Sequence, residues 1–181
     1  NSLDNLIFHY HNYDRKYYVQ GKKDKYYSES LVAKAETEMV HDSKLSYGFG
    51  SEYKYDWGHY QTTTFSSQTR GHLSNLGIFT NVGLKLNENQ ILSFHGRNDD
   101  HKETGGNKTY KINFTQFLGK FELGVTHSTG LKNASLYELY GNIGQKNINP
   151  EKSETNEIFG QYNFRCTWVP SVEPRIFTYT F

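Results

Sequence analysis

Apolar and polar residues alternate along most of this chain with a period of two. Between positions 76 and 86, every even-numbered residue except Thr80 is aliphatic, and most of the residues between them are polar or glycine. The same alternation recurs in the runs 6–10, 31–39, 45–55, 110–114 and 121–125. Successive side chains of a β-strand point to opposite faces, so this pattern predicts strands with one apolar and one polar face. The predicted fold class is all-β and antiparallel.

The segments between the alternating runs are of two kinds. Asn87–Asn89 and Asp42–Ser43 are short and polar, which is typical of hairpin turns. Asp56–Gly71 and Asn98–Asn107 are longer and polar, and they predict two extended loops. Short turns at one end of a sheet and long loops at the other are typical of a transmembrane β-barrel, whose short turns face the periplasm. We therefore expect both long loops to be extracellular.

The composition supports a sheet with one wet face. The chain has 181 residues, of which 15 are Tyr and 12 are Phe, yet its mean hydropathy is −0.81. No run approaches the roughly 18 consecutive apolar residues of a transmembrane helix, whereas barrel strands need only alternation. In a soluble β-sandwich the apolar face would pack against a second sheet, and the frequent charged and glycine residues on the other face favour a lumen. With its connections, the chain is long enough for about ten to twelve strands.

Charge and motifs argue against several functions. The net charge of +1 predicts no nucleic-acid partner. Cys166 is the single cysteine, so an internal disulfide or a thiolate metal site is excluded. His9 and His11 share one face of a predicted strand, and residues 99–103 hold acids and a histidine, but neither group has the spacing of a metal motif. With no catalytic motif in the sequence, we predict a protein that is not an enzyme and has no metal or cofactor.

Two segments near the C-terminus resemble a known family. Residues 129–141 read TGLKNASLYELYG, and residues 147–153 read NINPEKS, with Glu154 and Glu157 following. They resemble the "GFKAPSLYELYG" and "NPNLKPEKS" segments of TonB-dependent outer-membrane receptors, and the resemblance covers roughly residues 1–164. The signature residues are Ser135, Leu136, Tyr137, Glu138, Leu139, Tyr140, Gly141, Asn149, Pro150, Glu151, Lys152 and Ser153.

Physical chemistry gives these signature residues a structural role. Pro150 cannot donate to a strand ladder, so a strand is expected to begin after it. Leu136, Leu139 and Tyr140 are spaced for a short turn of helix or a tight wedge rather than for a strand. We therefore expect this region to shape the crossing from strand to loop to strand.

The resemblance implies a function as well as a fold. It is closest to the vitamin B12 and siderophore receptors, with vitamin B12 transport as the first choice. Such receptors lie in the outer membrane, contact its lipid, and use the TonB complex to take up a scarce ligand such as a cobalamin or an iron chelate. The plug domain of the family and its TonB-contact segment have no counterpart in this sequence. The resemblance therefore implies a fragment of such a receptor, a partial barrel without a plug.

The last residues depart from the pattern. Residues 165–181 contain the only cysteine and two of the three prolines, and they break the alternation. We divide the chain into a receptor-like barrel segment, 1–164, and an atypical tail, 165–181, which a truncation, deletion or frameshift would explain. Phe177, Tyr179 and Phe181 alternate as in the terminal strand of an outer-membrane protein.

Ligand contacts are expected in the two predicted extracellular loops. The candidate residues are Trp57, His59, Tyr60, Asp99, Asp100 and His101. Tyr55, Trp57, Tyr60 and Phe65 are also candidates for anchoring at the membrane interface, where amphipathic rings are favoured. Two other interpretations of the sequence stay open: a small porin-like barrel, and a soluble or surface-exposed β-sheet binding protein.

Overall fold

The computed structural model is an antiparallel β-sheet in which neighbouring strands follow one another along the chain. It describes residues 2–19, 21–62, 67–140, 144–145, 147–163, 171–172 and 175–180. The strand order is β1 to β8 and then β10, with β9 paired to β8. The elements are β1 Ser2–Val19, β2 Lys22–Val40, β3 Leu45–Thr62, β4 Ser67–Asn87, β5 Gln90–His101, β6 Gly105–Leu118, β7 Phe121–Lys132, α1 Leu136–Tyr140, β8 Glu151–Asn163, β9 Ser171–Val172 and β10 Arg175–Thr180. The all-β, antiparallel prediction is confirmed.

The short helix α1 does not span a membrane. Among the described residues, no helix has both the length and the apolar character that crossing a bilayer requires.

One face of the sheet carries the apolar members of all the alternating runs, and we call it the apolar face. Its side chains are open to the surroundings: Phe8 is 66% exposed, Ile78 58% and Ile158 61%. The register continues the rows from strand to strand, for example from Leu45 to Leu84. No second layer of described protein covers these rows, so the predicted one-sided pattern is confirmed.

The opposite face, the polar face, carries an ionic network across three strands. Arg97 on β5 donates from Nε to both carboxylate oxygens of Asp99, at 3.0 and 2.8 Å, and from Nη2 to Glu52 on β3 at 2.9 Å. Asn75 on β4 donates to Asp99 Oδ1 at 2.6 Å. Because Asp99 is buried, these donors replace the water that its carboxylate loses. The polar face is thus built for charged and hydrogen-bonded groups.

The two ends of the sheet differ in their connections. Residues 41–44, 88–89 and 119–120 form short turns at one end, the turn end. Asp42 accepts the backbone N–H groups of Lys44 and Leu45 at 2.7 and 2.8 Å, and these bonds hold the pKa of its carboxyl below the usual value. The predicted turns at Asp42–Ser43 and Asn87–Asn89 are confirmed. The opposite end, the loop end, holds the connections after β1, β3, β5 and β7.

The prediction of two long loops at the loop end is wrong. Strand β3 continues to Thr62 and β4 begins at Ser67, so most of the predicted loop Asp56–Gly71 is strand. In the predicted loop Asn98–Asn107, only residues 102–104 connect β5 and β6. The reason is that the ladder is formed by backbone groups and does not end where the apolar side chains end. These strands therefore extend past the apolar rows.

Helix α1 lies on the polar face at the loop end, above two glycines. Gly58 of β3 and Gly71 of β4 are paired in the register, and we call this pair the glycine saddle. A Cβ atom on Gly58 would lie 3.1 Å from Leu136 Cδ1, and one on Gly71 would lie 2.6 Å from Tyr140 Cδ2. The absence of both side chains lets the helix approach the backbone of the sheet.

Apolar burial and a capping box hold α1 in place. Leu139 packs with Leu73 of β4 and with Ala134, and all three are buried. Glu138 Oε2 accepts from the backbone N–H of Ser135 at 2.7 Å and from its hydroxyl at 2.8 Å, while Ser135 Oγ accepts the N–H of Glu138 at 3.3 Å. This reciprocal pattern is the capping box of a helix N-terminus. The predicted short helix is confirmed, and so is the start of a strand, β8, directly after Pro150.

Substitution of Gly71 by alanine should loosen α1. The new methyl group would meet the Tyr140 ring, which must then move. We expect the free energy that holds α1 on the sheet to fall by about 1 to 3 kcal/mol. Hydrogen exchange of the Leu139 amide, which donates to Ser135 O at 3.1 Å, measures the loss. Gly106→Ala is the matched control because nothing lies within 4 Å of its Cβ position. Equal protection of the amide in both variants would contradict the docking geometry.

The capping box should also make α1 sensitive to acid. The backbone N–H and then the hydroxyl of Ser135 hold the pKa of Glu138 below its usual value. A depressed pKa stabilises the fold above the unfolded pKa of about 4.3, and the contribution is lost as pH falls through the folded pKa. We expect Glu138→Ala to cost about 0.5 kcal/mol in urea unfolding at pH 7 and less at pH 3. Glu88→Ala in the turn after β4 is the control. If Glu138→Ala costs the same free energy of unfolding at pH 7 and at pH 3, the capping role is refuted.

Candidate ligand-binding site

A cavity opens on the polar face at the loop end, between the sheet and α1. Its volume is about 810 Å³. Strands β1 to β4, the last residue of β5 and residues 133–140 contribute to its walls. A pocket of this size can enclose much of a small molecule.

Four tyrosines form the aromatic wall of the cavity, and Tyr26 of β2 lies at their centre. The Tyr26 ring stacks on Tyr60 of β3 with centroids 4.4 Å apart, and it meets the edge of Tyr17 at 5.4 Å. Tyr137 of α1 completes the cluster, with its centroid 5.8 Å from Tyr26 and 6.0 Å from Tyr60. Tyr60 is buried within the cluster. Because Tyr137 belongs to α1, the wall is complete only when the helix is docked.

Charged and polar groups stand at the border of this wall. The guanidinium carbon of Arg15 lies 3.9 Å from the centroid of the Tyr17 ring, a cation–π contact. Tyr140 donates its hydroxyl to Glu103 at 2.7 Å, which raises the pKa of Tyr140. Lys54 and Asp56, which are 2.9 Å apart, also line the cavity. Flat rings with hydroxyl groups, a guanidinium and an ammonium suit a small ligand that is both aromatic and polar.

The six predicted ligand contacts separate into groups. Tyr60 and His101 line the cavity, and His101 is buried there. His59 borders the cavity, but its side chain is on the apolar face, where its Nε2 lies 2.6 Å from Gln68 Nε2. Trp57 is on the apolar face, where its ring meets the edge of the Tyr27 ring at 5.7 Å.

The two predicted aspartates also have different surroundings. Asp99 belongs to the Arg97 network, and Asp100 pairs with Leu76 in an apolar-face row and is exposed. The expectation that the six residues lie in two loops is therefore wrong: they belong to strands β3 and β5, whose alternate residues face opposite sides. For the same reason Tyr60 does not share a face with the other expected anchors, Tyr55 and Trp57; Phe65 lies outside the described residues.

The family-like signature is divided between α1 and the start of β8. Residues 135–140 form the cap and body of α1. Glu151 accepts from Lys132 Nζ at 3.2 Å across β7 and β8. Lys152 and Ser153 line a second cavity of about 660 Å³. Asn149 and Pro150 precede β8, and Gly141 lies outside the described residues.

The sequence pattern did not identify Tyr17, Tyr26 and Arg15 as cavity residues. Their proximity to Tyr60 follows from the register, which pairs Tyr26 with both Arg15 and Tyr60. Tyrosine pairs at 17–18 and 26–27, on either side of Gly21, were a visible signal of a shared aromatic site. The Ser135–Glu138 spacing of the capping box was a second usable signal.

The histidine pair expected on one strand face is formed. His9 and His11 are stacked with ring centroids 6.2 Å apart. In the described part of the chain, no group of three or more His, Cys, Asp or Glu side chains is placed to hold a metal ion.

Comparisons with known proteins identify the fold. The sequence matches no family model, and a search of curated proteins gives no match. A solved structure of a mutant of the ferric enterobactin receptor PfeA from Pseudomonas aeruginosa aligns with a TM-score of 0.75 at 15% identity, covering 91% of this chain and 30% of that chain. The siderophore receptor PirA from Pseudomonas aeruginosa aligns with a TM-score of 0.64 at 14% identity, covering 90% and 37%. The copper transporter OprC aligns with a TM-score of 0.65 at 12% identity, covering 79% and 29%.

These alignments concern part of each receptor. The chain spans between 29% and 37% of the length of the three structures. At these identities they establish the fold alone. The chain therefore has the fold of a length of β-barrel wall, as found in these two receptors and in the copper transporter.

Proposed function

We propose that this chain is a length of barrel wall from a TonB-dependent outer-membrane receptor. Such a receptor takes up a scarce small ligand, with energy supplied through the TonB complex. The observation that carries the proposal is the exposed apolar face described above, joined to a polar face with its own ionic network. A soluble sheet would cover such rows with a second layer, whereas lipid covers them in a barrel.

The dimensions and the aromatic residues support a membrane location for this face. On β4 the apolar row extends from Leu76 to Leu86, which matches the about 9 to 11 residues of a tilted transmembrane strand. Tyr55 and Trp57 lie next to this band towards the loop end, where amphipathic rings anchor a protein at the interface. With the short turns in the periplasm, the loop end and its cavity face the outside of the cell.

The open sheet favours a large receptor over a small closed barrel. Within the described residues the strands form a path from β1 to β10, and no pairing between these two strands closes it. A small porin-like barrel requires such closure. The solved structures with this fold bear the names of receptors and of a transporter, which supports transport rather than catalysis.

We propose a metal chelate as the ligand, with an iron–siderophore complex ahead of a cobalamin. The names of the similar structures include a ferric enterobactin receptor and a siderophore receptor. The tyrosine wall and Arg15 offer ring stacking and a cation to an anionic chelate that carries aromatic rings.

Labelling of two adjacent residues tests the membrane location. Tyr53 on the apolar face and Lys54 on the polar face are both exposed. In a Cys166→Ser background, Tyr53→Cys and Lys54→Cys are produced in the protein that carries this chain, in a Gram-negative host. We expect a charged thiol reagent to modify the Lys54 variant in isolated outer membranes and to spare the Tyr53 variant, because lipid shields its thiol. Equal labelling of both would refute the membrane location.

Ligand binding tests the cavity. We expect Tyr26→Ala to weaken binding of a ferric catecholate siderophore by about 2- to 12-fold, because one stacked ring is lost. Binding of cyanocobalamin is measured in parallel. If cyanocobalamin binds more tightly than the siderophore, a cobalamin becomes the proposed ligand. Tyr53→Ala on the apolar face is the control. Equal effects of the two variants, or no binding of either compound, would overturn the proposed ligand site.

A further inference from the structure

Cations gather on the apolar face at the loop end, beyond Tyr55 and Trp57, which border the apolar band. Lys16 of β1, Lys25 of β2 and Arg70 of β4 are all exposed there. Lys102, in the turn after β5, joins them through His72, whose Nε2 lies 2.8 Å from Lys102 Nζ. We call Lys16, Lys25, Arg70 and Lys102 the basic rim.

The register places these charges close together. Lys16 and Lys25 are directly opposite each other in the β1–β2 pair. Directly opposed like charges destabilise a strand pair unless an anion lies between them. Arg70 pairs with His59 on β3, which separates it from β2 by one strand. Two strand spacings are roughly 10 Å, so Lys25 and Arg70 can contact one large anionic group together.

Few acidic groups neutralise the rim. Asp14 lies 3.6 Å from Lys16 Nζ, and Glu103 Oε1 lies 3.8 Å from Lys102 Nζ, so two of the four rim cations have an acidic partner. Glu29 accepts the hydroxyl of Tyr10 at 3.0 Å and that of Tyr27. Neither Lys25 nor Arg70 forms an ion pair with another residue that the structure describes. Lys23, above the ring of Tyr18, adds a further positive charge to the same face.

The turn end of the apolar face is different. Its rows end in Leu45, Leu84, Leu118 and Phe121, and the nearby cations, Lys44 and Lys120, lie in the turns themselves. Among the described residues, cations on the apolar face itself therefore lie towards the loop end and not at the turn end.

We propose that the basic rim binds the phosphate groups of the phosphorylated glycolipid in the outer leaflet of the outer membrane. The inference rests on the proposed function, which puts the loop end at the outer surface. The rim lies beyond the aromatic border formed by Tyr55 and Trp57, so its ammonium and guanidinium groups lie at the depth of the lipid headgroups while the acyl chains cover the band. Lys and Arg side chains near an anionic lipid surface are attracted to it, and the guanidinium group binds phosphate oxygens in a bidentate manner.

A charge-matched pair of variants tests this proposal in the purified protein that carries the chain. The rim variant is Lys16→Gln, Lys25→Gln and Arg70→Gln. The control variant is Lys44→Gln, Lys85→Gln and Lys120→Gln at the turn end, which removes the same charge from exposed positions. The probes are bis-phosphorylated lipid A and dephosphorylated lipid A, both added in detergent micelles, and inorganic phosphate, added to the buffer. Native mass spectrometry counts the bound lipid.

We expect bis-phosphorylated lipid A to bind the natural protein and the control variant, and to bind the rim variant at least about tenfold more weakly. Dephosphorylated lipid A is expected to bind more weakly to all three, and inorganic phosphate is not expected to compete, because it lacks the acyl chains. Equal binding of the two lipids, or undiminished binding to the rim variant, would overturn the inference. These results leave the proposed function standing if the Tyr53 and Lys54 labelling shows a lipid-covered face. Labelling of both residues rejects the membrane location itself.

Discussion

Cross-strand register is the constraint on which the rest of this structure depends. Side chains alternate along each strand, so a slip of one residue would exchange the two faces of that strand. The apolar rows would then face the Arg97 network, and the glycine saddle would lose its partner. The same register brings Tyr26 of β2 beside Tyr60 of β3. The apolar face and the cavity are therefore two results of one set of backbone hydrogen bonds.

Local patterns predicted those features that depend on neighbouring residues. Alternation identified the strands and their apolar face, polar pairs such as Asp42–Ser43 identified the turns, and Pro150 identified the start of β8. The extent of the strands was missed because Gly58 and Gly71 pair through their backbones, with no apolar side chain to signal a strand. The cavity was missed because its wall joins Tyr17, Tyr26, Tyr60 and Tyr137, which are distant in sequence and meet only through the register and the return of α1.

The family-like signature receives a physical explanation from α1. Ser135 and Glu138 cap the helix, Leu139 fixes it to the sheet, and Tyr137 is left to complete the tyrosine wall. One short segment thus ends a strand, covers part of the polar face and supplies a ring to the candidate site. The residues of this family-like motif are explained by the capping and packing of α1. Any contact with a ligand follows from the position that this packing gives to Tyr137.

The glycine saddle has a consequence for how this segment can vary. Each glycine makes room for one helix side chain, Gly58 for Leu136 and Gly71 for Tyr140. A larger residue in the sheet is compatible with the fold only if the facing helix residue becomes smaller. In a set of related sequences, positions 58 and 136 should therefore change as a pair, and so should positions 71 and 140. Such paired changes would show that the helix still packs on the sheet in relatives that bind a different ligand.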